Sequence, residues 1–321
     1  MANKLIGLAP MAGYSHYPMR EVCRRFGADF IFSEMVSAEG IIRGDFTTYK
    51  TIPREKCILQ LFGNNPETFQ KAIKQLRIIP EKIDLNAGCP AKKVVKKNQG
   101  SALLNDLPLV EEILFAMNEV SSVPISVKIR LGYFQNDVFE IVEKLVKTPV
   151  KDIYIHGRTK IQGYSGEADW NSIFEVAKEF SNSGKNFFGS GDLYAPEFIL
   201  DKIQNEFLKG VIVARGAIHN PFIFLQTKRL INGKKKLEID DISKINVFLF
   251  LLKEMTNEFG ERRGVIESRK YFAGYSKRMP CSSKIRNAYM KQNSFEEVKT
   301  LLKKYKAELK RINGPISLNL D

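Results

Sequence analysis

The sequence contains few of the residues that build metal sites and disulfide frameworks. Among 321 residues it has four cysteines, three histidines and one tryptophan. The cysteines, Cys23, Cys57, Cys89 and Cys281, are widely scattered and form no CxxC pair. This spacing argues against zinc ribbons and disulfide-stapled folds, so we expect no metal site. Such cysteine usage fits a reducing, cytoplasmic location.

Long apolar runs are also missing. The most hydrophobic run, Val247–Leu252, ends at Lys253, whereas a membrane helix needs roughly 20 apolar residues. The first residues, MANKLIGLAPMAG, meet proline and glycine too early for a signal peptide. With 44% hydrophobic and 27% charged residues, the composition is typical of a globular protein with no membrane span.

Acidic residues are scarce toward the C-terminal end. The net charge is +14, and residues 231–321 hold 20 basic and 11 acidic side chains, against 30 and 25 in residues 1–230. No acid lies between Ser268 and Ser294, whereas seven basic residues do: Arg269, Lys270, Lys277, Arg278, Lys284, Arg286 and Lys291. A stretch of one sign indicates an anionic partner, although charge runs are also common on solvated helices.

Eight short apolar runs recur about 29 residues apart, which is the length of one strand–helix unit. Continuous apolar strands alternating with amphipathic helices predict a parallel sheet covered on both faces. We therefore predict an α/β protein whose first part is a (β/α)8 TIM barrel; an open doubly wound sheet is the alternative. The eight runs are IGLAPM, DFIFSEM, CILQLFG, KIDLNAG, ISVKIRL, DIYIHGR, NFFGSGD and GVIVARG.

The strand pattern stops after Pro221, and the remaining sequence has helical periodicity. The best helical stretches are 245–259, 265–275 and 295–312. These observations predict a catalytic barrel over residues 1–230, a linker over 231–237 and a small all-helical C-terminal domain over 238–321.

In such a barrel the chemistry takes place where strands end and the following loops begin. Gly189, Gly191 and Gly216, near the predicted ends of strands 7 and 8, favour a phosphate site together with Arg215, although the glycines could simply turn the chain. Lys128 interrupts an apolar strand, and it could form a Schiff base, hold an anion or form a structural ion pair.

Cys89 follows the fourth predicted strand and lies between a glycine and a proline. Buried, inert cysteines are the more common case, but a protonated thiol at this position could act as a general acid. His156 ends the sixth strand and is a better acid or hydrogen-bonding candidate than the other two histidines. Four lysines follow Cys89 closely and indicate a polyanion at the mouth of the pocket: Lys92, Lys93, Lys96 and Lys97.

The order of several long motifs resembles the tRNA-dihydrouridine synthase family over nearly the whole chain. The most specific is DLNAGCPAKKVVKKNQGSALL at 84–104, supported by LAPMAGYSHYPMR at 8–20 and IHGRTKIQGYSGEADW at 155–170. The segment ESRKYFAGYSK at 267–277 resembles the bacterial members, in particular the B-type branch. Two motifs depart from the family pattern, since Ser190 replaces a common asparagine and HNPF at 219–222 replaces a GRPW-like string.

The resemblance implies an FMN-containing barrel followed by a helical tRNA-binding domain, with no membrane and no stable protein partner. It implies reduction of the C5=C6 bond of particular uridines in tRNA, with NADPH, or NADH, as the reductant. Hydride would pass from the flavin N5 to C6, and Cys89 would give a proton to C5. The flavin would be held by Pro10, Met11, Ala12, Gln60, Lys128, His156, Ser190, Gly191, Asp192, Ala214 and Arg215.

The remaining expected contacts are with the substrate. The uracil or flavin edge would meet Asn86 and Arg158. The tRNA would lie against basic side chains near Cys89 and in the tail: Lys92, Lys93, Lys96, Lys97, Arg269, Lys277, Arg278, Lys284 and Arg286.

Three other functions are compatible with parts of the sequence. A different FMN barrel acting on a free pyrimidine or an enone would not need the basic tail. An aldolase would use Lys128 as its Schiff-base lysine. A non-catalytic RNA-binding protein would explain the charge, but not Cys89, Lys128 and the glycine-rich loops together.

Overall fold

A computed structural model of the chain describes residues 4–313. Eight parallel strands pair in sequence order, and the first pairs with the last, so the sheet is a closed barrel. The predicted (β/α)8 TIM barrel is therefore confirmed. The strands are β1 Leu5–Leu8, β2 Phe30–Ser37, β3 Ile58–Phe62, β4 Lys82–Ala87, β5 Ile125–Arg130, β6 Asp152–His156, β7 Asn186–Ser190 and β8 Gly210–Val213.

The strands are nearly continuous apolar runs because both of their faces are covered. Inside the barrel, rings from several strands pack together: Tyr154 stacks on Phe188 with 4.7 Å between ring centroids, and Phe32 meets Tyr154 edge-on at 4.9 Å. Small residues make room for these rings, since a Cβ on Gly7 would lie 2.3 Å from Phe30. This core fills the barrel interior and leaves the strand ends to carry polar groups.

Eleven α-helices follow or connect these strands within residues 4–234. Several begin with a capping side chain, as where Asn65 accepts from the Thr68 N–H at 2.9 Å and Asp169 from the Ser172 N–H at 3.0 Å. The helices are α1 Tyr17–Arg25, α2 Ala38–Ile42, α3 Phe46–Thr51, α4 Pro66–Lys74, α5 Lys92–Val95, α6 Leu107–Val120, α7 Val138–Leu145, α8 Trp170–Glu179, α9 Pro196–Ile203, α10 Arg215–His219 and α11 Ile223–Ile231. Two 3-10 turns cover Gly100–Asn105 and Ser181–Ser183.

Four further helices follow: α12 Asp241–Phe259, α13 Glu261–Tyr275, α14 Ser282–Tyr289 and α15 Phe295–Asn313. Their shared core is aromatic, with Phe272 centred 4.8 Å from Phe248 and 4.7 Å from Tyr289. The buried hydroxyl of Tyr289 is hydrogen-bonded to Ser268. The predicted all-helical C-terminal part is therefore confirmed, with α14 as an addition that the sequence pattern did not indicate.

The chain forms two compact units. The first contains the residues up to Ala217 together with Phe222–Lys234, and the second contains Ile218–Pro221 together with the chain from Lys235 onward. None of the helices in residues 4–313 is both long enough and apolar enough to span a lipid bilayer.

Candidate active site

The register of the sheet brings the predicted site residues onto neighbouring strands. Gln60 lies opposite Asp84, and Asn86 lies opposite Lys128. His156 pairs with Arg130 on one side and with Ser190 on the other. Because all strands run in the same direction, these side chains gather at the carboxyl end of the barrel, where barrel enzymes carry their active sites.

A chain of buried hydrogen bonds crosses the strands β3, β4 and β5. The Ser126 hydroxyl donates to Asp84 Oδ1 and Gln60 Nε2 donates to Asp84 Oδ2, both at 2.8 Å. Asn86 Nδ2 donates to Gln60 Oε1 at 2.8 Å. Asn86 Oδ1 in turn accepts from the backbone N–H groups of Gly88 at 3.2 Å and Cys89 at 2.9 Å. Two of the predicted site residues thus hold the loop that carries Cys89.

Cys89 is partly exposed, whereas Cys23 and Cys57 are buried. Its carbonyl accepts from the Ser101 N–H at 3.1 Å and the Ser101 hydroxyl at 2.9 Å. Burial raises the pKa of Cys57 to about 12, so that thiol is inert. Within residues 4–234, Cys89 is therefore the cysteine that a substrate can reach.

Lys128 stands among charged and polar groups inside the barrel. Burial and the neighbouring Arg130 lower the pKa of Lys128 to about 8, although Asp84 opposes the shift. Burial also raises the pKa of Asp84 to about 7. The Arg130 guanidinium is itself tied to carbonyls, donating from Nε to Gly88 and from Nη1 to Thr159 and Gly163, each at 2.9 Å.

His156 is held as a neutral imidazole. Burial is the largest cause, and the cations Lys128 and Arg130 add to it, so the pKa of His156 lies well below its ordinary value. Its Nε2 is buried and has no hydrogen-bond partner in the protein. The Nη1 of Arg158 is in the same condition. Buried polar atoms without partners are rare in proteins, and at a strand end they point to a ligand.

The loops after β7 and β8 carry a second group of predicted residues. Asp192 Oδ2 accepts from Arg158 Nη2 at 2.6 Å and from the Ala168 N–H at 2.8 Å, and Asp192 Oδ1 accepts from Arg215 Nη2 at 3.3 Å. Hydrogen bonds from Arg158 and Ala168 outweigh burial and lower the pKa of Asp192. Asp192 is therefore a carboxylate that orders two arginines. Ser190 is buried, and Ala214 comes just after β8.

Gly191 has a conformation that only glycine readily adopts. Its φ is +131°, and a Cβ there would lie 2.4 Å from the Ala168 Cβ. Its carbonyl accepts from Trp170 Nε1 at 3.1 Å. The absence of a side chain at Gly191 therefore lets Ala168 pack against its backbone.

The loop after β1 contains Pro10, Met11 and Ala12, which are partly or fully exposed. The Met11 N–H donates to the Ser15 hydroxyl at 2.8 Å, so the loop is ordered by a serine at the start of the next helix. The N–H of Gly13 donates to Oε1 of Glu34, a residue of β2, at 2.5 Å.

The predicted RNA contacts divide into two groups. Seven are exposed: Lys92, Lys93, Lys96, Lys97, Lys277, Arg278 and Lys284. The other two are partly buried and already bonded, since Arg269 Nη2 donates to the Gln292 carbonyl at 2.9 Å and Arg286 Nη1 donates to the Ser276 hydroxyl at 3.5 Å.

Four residues of this region were not among the predicted site residues. Asp84 looked like an ordinary strand position, and Arg130 ends β5 like the predicted Arg158 after β6. Glu34 is an acidic residue within the otherwise largely apolar β2, and that position was the available signal. Tyr164 lies in the loop after β6, with the Arg130 and Arg215 guanidinium carbons 5.6 and 4.8 Å from its ring centroid.

Among residues 4–313, no group of three or more His, Cys, Asp or Glu side chains is arranged to bind a metal ion.

A closed parallel barrel with polar side chains gathered at the carboxyl ends of its strands defines a barrel enzyme. Known proteins make the class specific: the family model for dihydrouridine synthase (Dus) matches residues 7–311. The chain belongs to the dihydrouridine synthase family. The predicted enzyme class, a flavin-dependent oxidoreductase of that family, is thereby confirmed.

Two relatives match the sequence of this chain along most of their length. A "Probable tRNA-dihydrouridine synthase" of Aquifex aeolicus is 33% identical over 301 residues, covering 91% of this chain and 92% of the relative. The tRNA-dihydrouridine synthase B of Pseudomonas aeruginosa is 31% identical over 294 residues, covering 89% and 87%.

Solved structures support the fold. The histamine dehydrogenase of Rhizobium sp. 4-9 has a TM-score of 0.54 at 14% identity, covering 78% of this chain and 48% of that one. A 2-naphthoyl-CoA reductase in complex with 2-naphthoyl-CoA has a TM-score of 0.51 at 8% identity, covering 72% and 50%. This chain therefore spans about half of each of these larger chains.

Proposed function

We propose that this protein is an FMN-dependent tRNA-dihydrouridine synthase that reduces the C5=C6 bond of uridines in tRNA with NADPH. The observation that carries the proposal is the partly exposed Cys89, held by Asn86 at the barrel mouth near Lys128 and His156. The curated relatives named as tRNA-dihydrouridine synthases support the substrate. A tRNA substrate also agrees with the cytoplasmic location expected from the sequence.

The residues at the strand ends suit a flavin mononucleotide. The unpartnered His156 Nε2 and Arg158 Nη1 offer buried polar atoms to a ligand. We propose that the ring is held by Pro10, Met11, Ala12, Gln60, Lys128 and His156. The phosphate side would be held by Ser190, Gly191, Asp192, Ala214 and Arg215, with Asp192 ordering the Arg215 side chain. When bound, the reduced flavin supplies the hydride that adds at C6 of the uracil.

The protein's own groups complete the reduction. Addition at C6 leaves negative charge on C5 and the O4 carbonyl, so a proton must reach C5. We assign that proton to the Cys89 Sγ–H; the solvent returns it in the next cycle. Lys128, as a cation inside the barrel, and the neutral His156 stabilise the charge on the oxygen side. Asn86 and Arg158 orient the base.

The basic residues bind the rest of the RNA. A uridine in folded tRNA must leave its stack to reach the barrel mouth. The protein must therefore hold the RNA backbone largely by phosphate contacts. We assign this role to the exposed residues Lys92, Lys93, Lys96, Lys97, Lys277, Arg278 and Lys284, with Arg269 and Arg286 as the bonded members of the group.

The decisive test is dihydrouridine formation in unmodified tRNA incubated with the flavin-loaded protein and NADPH, followed by position-mapping mass spectrometry. We expect new dihydrouridine, and Cys89→Ser should lose at least about 100-fold in rate because a general acid contributes factors of about that size. The variant should keep its flavin, since Cys89 is not among the proposed flavin contacts.

Cys281→Ser is the matched control, because Cys281 is the exposed cysteine of the helical unit. Its rate should equal that of the wild type. A Cys89→Ser rate equal to the wild type would remove Cys89 from the mechanism. A yellow protein that oxidises NADPH but leaves tRNA unchanged would move the substrate to a free pyrimidine or an enone.

A further inference from the structure

The buried hydrogen bonds beneath the Cys89 loop all point the same way. Asp84 accepts at both oxygens, from Ser126 and from Gln60. Gln60 then accepts from Asn86, and Asn86 accepts from the loop. Asp84, Gln60 and Ser126 are each no more than 1% exposed, so water does not compete for these bonds.

The direction matters because a side-chain amide has two different ends. An amide offers an acceptor on one end and donors on the other, whereas a carboxylate accepts at both oxygens. When Asp84 is protonated, its Oδ1–H can donate to the Ser126 hydroxyl, and Oδ2 still accepts from Gln60. Facing Asp84, Gln60 must turn its NH2 group toward the carboxylate and its carbonyl toward Asn86. Asn86 must then turn its own NH2 group toward Gln60 and its carbonyl toward the Cys89 loop.

The loop needs that carbonyl. The backbone N–H groups of Gly88 and Cys89 both donate to Asn86 Oδ1, at 3.2 and 2.9 Å. If Asn86 were reversed, an NH2 group would face two N–H donors. All three donors would then lose their partners. The acceptor oxygen of Asp84, which is connected to the loop through Gln60 and Asn86, therefore decides whether the loop is held.

We propose that Asp84 is a positioning residue, which orders the Cys89 loop by fixing the direction of the Gln60 and Asn86 amides. The inference rests on the proposed function only in that Cys89 is the proton donor there. Asp84 is fully buried and reaches Cys89 through Gln60 and Asn86 rather than by contact.

Two variants of Asp84 separate this role from its charge. Asp84→Leu has nearly the same shape and removes the acceptor that faces Gln60. Asp84→Asn removes the charge but keeps an acceptor, because its Oδ1 can face Gln60 while its Nδ2 donates to the Ser126 hydroxyl oxygen. Ser126→Ala is the matched control, since it removes one bond to Asp84 without disturbing the acceptor that faces Gln60.

The measurement is the alkylation rate of Cys89 by iodoacetamide in the full chain as purified, resolved by peptide mass spectrometry. Exposed Cys281, in the helical unit, is an internal reference whose rate should stay constant in every variant. We expect Asp84→Leu to speed Cys89 alkylation at least about fivefold, the factor for loss of one net backbone hydrogen bond. Asp84→Asn and Ser126→Ala should stay within about twofold of the wild type.

Either of two results would overturn the inference: a wild-type rate in Asp84→Leu, or an equal acceleration in Asp84→Asn, which would make charge the cause. A circular dichroism melting curve shows whether Asp84→Leu is folded; if it is not, Asp84→Ser, which lacks the reach to Gln60, replaces it. The readout needs neither tRNA nor NADPH. The inference can therefore hold even where no dihydrouridine is formed, and it can fail in an active enzyme.

Discussion

Lys128 has a pKa displaced toward the pH range in which the enzyme would work. Burial and Arg130 lower that pKa from 10.5 to about 8. The cost of burying the cation is therefore present in full below pH 8, and it fades as the pH rises toward 10.5. Below pH 8 the folded protein thus keeps a cation that destabilises it, which is the pattern expected of a functional group.

This shift predicts the alkaline limb of the pH–rate profile. As the pH rises through about 8, Lys128 loses its proton and no longer stabilises negative charge on the uracil oxygen. We expect kcat/KM for dihydrouridine formation to fall there. Lys128→Arg should move this limb to higher pH, since arginine stays protonated. An unchanged alkaline limb in that variant would assign it to another group.

Sequence alone predicted most of the candidate residues that the structure brings to the carboxyl end of the barrel, because they stand at or near a strand end, which an apolar run followed by glycine or a polar residue reveals. It missed Asp84, since the partners of Asp84 are 24 and 42 residues distant and only the strand register brings them together. The pairing of Arg158 with Asp192 spans 34 residues and was hidden in the same way.

At the scale of elements, the strand β7 and the helix α8 meet at glycines. A Cβ on Gly189 would lie 2.3 Å from the Trp170 ring, and one on Gly191 would lie 2.4 Å from Ala168. The strand β7 thus packs closely against α8, and the loop after β7 starts from a constrained backbone.

Gly191→Ala should therefore be costly. Its φ of +131° and the contact with Ala168 predict a loss of about 3 kcal/mol in the free energy of unfolding, together with reduced flavin content. Gly184→Ala is the control: its φ is +75°, but no atom would lie within 4 Å of the new Cβ. It should cost about 1 kcal/mol and keep the flavin. Urea titration and the visible flavin spectrum measure both; equal losses would mean that the crowding at Ala168 has no effect.

Periodicity predicted the long elements well and the short ones poorly. The strands follow from continuous apolar runs, and α12, α13 and α15 each extend beyond or match the predicted stretch. The helix α14 was missed because only Ile285 and Tyr289 of its residues are buried, which is too few to make a helical pattern stand out.

At the scale of the whole molecule, charge divides unevenly between the two parts of the chain. Most of the basic excess lies in the last 91 residues, whereas the predicted chemistry lies in the barrel. We propose that catalysis is confined to the barrel, whereas RNA binding is shared between the basic tail and the four lysines that follow Cys89.

This division predicts separable variants. Reversing Lys277, Arg278 and Lys284 to glutamate should weaken tRNA binding at least about tenfold and flatten its salt dependence, because fewer phosphate contacts release fewer counterions. Flavin content should not change. The control reverses three lysines that lie on barrel helices: Lys74, Lys144 and Lys178. A similar loss of affinity in the control would mean that net charge alone governs binding, as measured by filter binding at several salt concentrations.

The residues Ile218–Pro221 belong to the helical unit, although barrel residues both precede and follow them. His219 packs closely against Gly274, because a Cβ added to Gly274 would lie 2.1 Å from the His219 Nδ1. The chain thus passes between the units at three points, and a cut at Lys234 would leave this segment attached to the wrong half. Recombination at the linker alone would therefore separate His219 from Gly274. Exchange of the tail between related enzymes requires the two positions to be inherited together.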